Sequence, residues 1–155
     1  MMVGLFSSGK YSILRKLKIM PPIPNISFSV ENFNYKSFKI HRCVVNEEKD
    51  YRKIWKNFYQ FYDGIIFVLD SYDKTNIETA LKELNQMFNE EELKNCPILV
   101  LANKQDLNGA LTPDELTTKI QMKNYKGKWL VKGTSDVTGE GLKEGFDWMD
   151  SALNN

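Results

Sequence analysis

Gly4-Leu5-Phe6-Ser7-Ser8-Gly9-Lys10 has the glycine and lysine spacing of a phosphate-binding loop, and far along the chain Asn103-Lys104-Gln105-Asp106 follows an apolar run. A glycine loop after a strand turns backbone N–H groups toward a phosphate, and a lysine adds a point charge. Gly4, Ser7, Ser8, Gly9 and Lys10 are therefore the candidate phosphate contacts. Asp106 can accept two hydrogen bonds, from the ring N–H and the exocyclic amine of guanine. Adenine offers the wrong donors there, and an unmet carboxylate is costly. Asn103 is expected to tie the tetrad to neighbouring loops, and the Lys104 stem to lie across the sugar and base plane. Thr134-Ser135-Asp136, after the last expected strand, supplies a third wall, with Ser135 and Asp136 as base-site candidates. By chance the loop pattern turns up in roughly one chain of this length in twenty and the tetrad in about one in fifty. Finding both in order, each after an apolar strand, exceeds coincidence. Tyr11, however, stands where the loop motif needs Ser or Thr.

These residues need strands to carry them, and the chain alternates apolar runs with amphipathic stretches, the pattern of an α/β sheet. Residues 1–5 read as a short first strand and 10–18 as a helix with Ile13, Leu14 and Leu17 buried. Pro21, Pro22 and Pro24 forbid helix. Residues 27–34 and 37–45 alternate as an antiparallel hairpin turning at Tyr35-Lys36, and 46–53 is a charged loop. The aromatic stretch 55–62 suggests a short helix, and 64–70 and 97–102 read as strands buried on both faces. Helices are expected at 75–89, 112–120 and 141–153, and a strand at 128–132. The sum is about six strands and five helices in one domain, 1–155.

Composition narrows the partners. Lys and Arg number 21 against 20 Asp and Glu, a formal net charge of +1, so no field holds nucleic acid or anionic lipid by charge alone. Cys43 and Cys96 form no disulfide framework, and His41 lacks a ligand partner at zinc spacing. That usage points to a reducing, cytoplasmic setting. The longest apolar runs are too short to span a membrane, no signal-peptide pattern opens the chain, and Met2 occupies the position where N-myristoylation requires Gly.

From Val3 to Leu153 the chain resembles the ADP-ribosylation-factor (Arf/Arl) family of small GTPases. The likeness rests on Met2-Val3-Gly4-Leu5, the segments 13–18, Ile23-Pro24, 64–71 and 101–107, and Gly139-Glu140-Gly141-Leu142. It implies a P-loop small-GTPase domain: a mostly parallel central sheet with helices on both faces, binding GDP or GTP. It further implies that Ser12 contacts the α-phosphate and that protein effectors or regulators read a surface at Phe28, Cys43 and Phe58, where Cys43 replaces a Trp. Family members also carry an amphipathic helix before the first strand, so this sequence, which opens at the strand, is expected to lack a direct membrane anchor.

The departures define the functional expectation. Tyr11 replaces the Thr whose hydroxyl binds Mg²⁺, and Asn25 the Thr that reports the γ-phosphate. The family's Asp-X-Gly-Gly-Gln falls on Val44-Val45-Asn46-Glu47-Glu48, Phe6 replaces a loop Asp, and Asp136 replaces a small Ala. Mg²⁺ binding is thus in doubt, and no catalytic or metal-ligating residue is assigned. Asp70 is expected to be a turn residue and His41 a surface residue. The leading expectation is a monomeric, divergent guanine-nucleotide-binding protein with weak or no GTP hydrolysis, a regulatory module of the membrane-trafficking kind. A nucleotide-free pseudo-GTPase scaffold and an active GTPase using substitutes such as Asn25 or Glu48 are the alternatives.

Overall fold

The two most apolar segments, β4 (Ile65–Asp70) and β5 (Ile98–Asn103), pair in parallel from Ile65↔Ile98 to Asp70↔Asn103. Successive side chains of a strand point to opposite faces. Ile65, Phe67 and Leu69 accordingly join one buried cluster, while Ile66 and Val68 join the other. A strand covered on both sides has no wet face, so its sequence is apolar without alternation.

The computed structural model describes residues 1–19, 29–44, 52–122 and 125–155. Around the central pair lie β1 (Met2–Val3), β2 (Ser29–Tyr35), β3 (Phe38–Val44) and β6 (Trp129–Gly133), in the order β2-β3-β1-β4-β5-β6. Only the β2–β3 pair is antiparallel among the described pairings. One face packs α3 (Ile77–Met87), with Trp55 of α2 (Arg52–Lys56) and Leu116 of α4 (Pro113–Lys119) in the same cluster. The other packs α1 (Lys10–Lys16) through Ile13 and Leu14, and α5 (Leu142–Asn154) through Leu142, Phe146 and Met149. This is the expected small-GTPase architecture.

Local chemistry sets several boundaries. The Thr112 hydroxyl accepts from Glu115 N–H while the Glu115 carboxylate accepts from Thr112 N–H, a capping box that starts α4 with Pro113 inside it. Helix α1 ends at Lys16, short of the expected Lys18, because Lys18 takes φ 58°. The expected 55–62 helix divides into the end of α2 and a 3-10 turn at Tyr59–Phe61. The hairpin turns at Lys36-Ser37, one residue beyond the expected Tyr35-Lys36, since Tyr35 pairs with Phe38 and Lys36 takes φ 45°. Tyr35 is held in the strand by α5: its hydroxyl donates to Asp147 Oδ1 at 2.7 Å, and its ring lies 5.2 Å from that of Phe146. The prolines at 21–24, Asn25, Phe28 and residues 45–51 lie outside the described residues.

Candidate functional site

Parallel strands release their following loops at one edge of a sheet, so sequence-distant segments meet there. Loop 4–9 follows β1, Asp70 ends β4, Asn103 ends β5, and 134–136 follow β6. Two glycines are forced by this convergence. A Cβ on Gly4 (φ 149°) would lie 2.2 Å from Val68 O, and one on Gly9 (φ 98°) 2.2 Å from Asn103 Nδ2 and 2.9 Å from Asp136 Oδ2. No side chain fits at either position, and both have backbone angles that glycine adopts cheaply.

Asn103 joins the segments. It is fully buried; its Nδ2 donates to Ser8 O at 3.0 Å, and its Oδ1 accepts from Asp136 N–H at 3.1 Å and from Thr134 Oγ1 at 3.3 Å. The expected tie to neighbouring loops is thus concrete, and it engages the Asp136 amide. Lys10 Nζ donates to Gly4 O at 2.8 Å, Leu5 O at 2.7 Å and Ser8 Oγ at 3.2 Å, which fixes the ammonium at the loop. Asp106 is exposed, and its Oδ1 accepts the Ser135 hydroxyl at 2.6 Å. Lys104 takes φ 70°, and its Nζ donates to Asp70 Oδ2 at 2.5 Å. The other Asp70 oxygen accepts from the N–H groups of Tyr72 and Asp73, as a turn residue should.

A cleft of about 380 Å³ opens among these groups, lined by residues 6–12, Arg42, Lys104 and Asp136. Of the candidate nucleotide-binding residues, Ser7, Ser8, Gly9, Lys10, Ser12, Lys104 and Asp136 line it. Gly4 and Asn103 are buried and are not among the lining residues, and neither are Asp106 and Ser135, which are hydrogen-bonded to each other. Phe58 of the effector trio is 39% exposed, Cys43 sits in β3 opposite Val30, and Phe28 lies outside the described residues. His41 is half-buried, not a plain surface residue. Its Nδ1 lies 3.2 Å from the Tyr62 hydroxyl, and burial, with smaller contributions from the amino terminus and Lys39, lowers its pKa. Cys96 is buried and burial pushes its thiol up to about 11, so it stays protonated and unreactive.

Arg42 is the cleft residue that the sequence reading missed. The parallel bridge between β1 and β3 sets Met2 opposite Arg42, beside the loop that leaves β1. Its Cζ lies 5.5 Å from the centroid of the Tyr11 ring, and Arg15 Cζ lies 5.8 Å from the same centroid. These residues do not fit the Mg²⁺ that the family resemblance implies. Tyr11 presents a ring, with two guanidinium groups near it, where a hydroxyl ligand is required, and no group of three His, Cys, Asp or Glu among the described residues could hold a metal. A divalent cation at Tyr11 would meet two like charges.

The sequence model of the ADP-ribosylation factor family matches residues 1–153. Among solved structures the chain is similar to the Arl6 BBS3 small GTPase from Trypanosoma brucei with bound nucleotide analogue GppNp. The TM-score is 0.79 at 27% identity, over 99% of this chain and 95% of that one.

Proposed function

The chain belongs to the ADP-ribosylation factor family of GTP-binding small GTPases, and from that premise we propose a divergent member that holds GDP or GTP and hydrolyses GTP slowly or not at all. The reading is carried by Asn103, whose buried amide binds Ser8 of the phosphate loop and Asp136 of the base wall at once. One side chain thereby sets the spacing between a phosphate subsite and a base subsite. Lys10 donates to the Gly4 and Leu5 carbonyls, and its contact to Ser8 Oγ, at 3.2 Å, is one that a phosphate oxygen would displace. Asp106, oriented by Ser135, accepts the guanine donors.

Slow turnover follows from the substitutions. Phosphoryl transfer depends almost wholly on positioning and electrostatic stabilisation. Tyr11, Val44 and Glu48 replace the family's metal and water-orienting groups, and Glu47 and Glu48 would set negative charge beside a γ-phosphate, which favours GDP. We read the protein as a monomeric, cytoplasmic regulatory module of membrane traffic that works through protein partners, with the exposed Phe58 part of the surface they contact. The loss of a Trp at Cys43 argues for partners unlike the family's usual ones.

Nucleotide choice tests the reading. GDP should raise the melting temperature more than ADP at equal concentration. Equal shifts, or a larger one with ADP, would overturn the guanine assignment. A nucleotide-free scaffold is the second reading, favoured by the engagement of the Lys10 ammonium with three loop oxygens. Chromatography of the nucleotide released from purified protein separates the two: GDP or GTP in the extract supports the first, and none supports the second.

A further inference from the structure

A base subsite selects by matching donors to acceptors along one edge of the ring, and in guanine that edge runs from the 2-amine through N1–H to the 6-carbonyl. Asp106 answers the first two, with its Oδ1 held by the Ser135 hydroxyl at 2.6 Å. The 6-carbonyl comes next on the ring, and Asp136 comes next on the wall after Ser135. The Asp136 backbone N–H is the kind of donor a carbonyl needs, but it already donates to Asn103 Oδ1 at 3.1 Å. What remains is the side chain, and Asp136 lines the cleft. Its Oδ2 lies 2.9 Å from where a Cβ on Gly9 would stand, so the carboxylate is turned toward the phosphate loop across the cleft wall. Among the described residues this carboxylate has no hydrogen-bond or ion-pair partner. An acceptor left without a donor takes one from the ligand or opposes the ligand that offers none.

We propose that Asp136 is a specificity-determining residue of the base subsite, acting against the 6-carbonyl of guanine and in favour of a 6-amine. The proposal rests on the reading that the cleft takes a guanine nucleotide, and it concerns the margin by which guanine wins. A carboxylate accepts hydrogen bonds and has none to give. Facing a carbonyl it sets two acceptors together, whereas facing the 6-amine of adenine it gains a bond. Asp106 and Asp136 thus select in opposite senses. GDP stays preferred because Asp106 meets two donors of guanine while Asp136 opposes one acceptor. The preference falls well short of the roughly 10⁴-fold that a site matched on every polar group reaches. The replacement of a small Ala by Asp136 therefore loosens the choice of base while Asp106 is kept.

Titration calorimetry of the full chain with GDP and with ADP tests this. The ratio of the two affinities is the readout, because any effect of the substitution on the phosphates is shared by both ligands and cancels. Asp136→Ala should raise the ratio in favour of GDP roughly 10- to 100-fold, the span of one mismatched polar contact, with GDP bound more tightly and ADP more weakly. Asp136→Asn, whose amide both donates and accepts, should strengthen GDP and leave ADP nearly unchanged, and it serves as the second probe if Asp136→Ala does not fold. An unchanged ratio in both variants, with GDP still preferred, would overturn the proposal and leave the nucleotide reading standing. Equal strengthening of GDP and ADP would also overturn it and assign the carboxylate to the phosphates. A preference for ADP in the unmodified protein and both variants would overturn the guanine assignment and the proposal with it. Binding of neither nucleotide by any of the three would overturn the nucleotide reading and this proposal together.

Discussion

Asn103→Ala should both destabilise the protein and separate its two subsites. The side chain is fully buried and makes three contacts: to Ser8 O at 3.0 Å, Asp136 N–H at 3.1 Å and Thr134 Oγ1 at 3.3 Å. The last is long for a hydroxyl bond and the hydroxyl can rotate, so its loss costs little. The other two decide the outcome, since a buried group left unpaired costs about 1–3 kcal/mol. Ser8 is 1% exposed, which puts its carbonyl at the upper end of that range, whereas Asp136 lines the cleft, where water can replace the lost acceptor. The expected loss is about 3 kcal/mol, a fall in melting temperature of about 6–12 °C for a domain of this size. Thermal unfolding followed by circular dichroism measures it, and a GDP titration on the same samples should show binding lost or strongly weakened. Asn103→Asp is the informative control. It keeps an acceptor for Asp136 but turns a carboxylate oxygen toward the Ser8 carbonyl, so it should destabilise at least as much. If Asn103→Ala melts within about 2 °C of the parent and binds GDP normally, the account of the site as two subsites joined through Asn103 is wrong.

GTP turnover in the unmodified protein should be about 10⁻⁴ per second or less, because Tyr11, Val44 and Glu48 replace the parts that stabilise transferred charge; faster multiple turnover abolished by Lys10→Ala would refute this. Tyr11→Thr combined with Val44→Asp should make GDP binding depend on Mg²⁺, and the two changes should couple because they serve one ion; strictly additive effects in a double-mutant cycle would count against a shared site. Gly9→Ala should abolish GDP binding, since its Cβ would lie 2.2 Å from Asn103 Nδ2 at φ 98°; an unchanged calorimetric titration would contradict that packing. The pKa of His41 is lowered by burial, so the unfolded chain binds its proton more readily than the folded one. Its contribution to stability is therefore present above the unfolded pKa of about 6.5 and lost as pH falls below it. His41→Phe should flatten the fall in melting temperature between pH 7.5 and 5 relative to the parent, and identical pH profiles would argue against it.

Much of the candidate site is legible in the chain because its motifs are local. Gly4, Gly9 and Lys10 belong to one turn, and Asn103, Lys104 and Asp106 to another, so spacing alone carries their geometry. The strands at 65–70 and 98–103 were equally legible, since burial on both faces leaves an unbroken apolar run. The capping box at Thr112 and Glu115 is likewise a contact within one helical turn. What escaped was decided between elements. The hairpin turn moved by one residue because Tyr35 is engaged by Asp147 and Phe146 of α5, 112 positions from Asp147 along the chain. His41 became half-buried through Tyr62, and the Asp136 amide was engaged by Asn103. Arg42 shows the division most clearly. As one charged residue on a half-exposed hairpin it looks like a solvated face, and nothing near it in sequence mentions phosphate. It enters the cleft because β3 lies parallel to β1 with Arg42 opposite Met2, and that register is set by burial of the strands and their hydrogen bonds to one another, not by any local pattern.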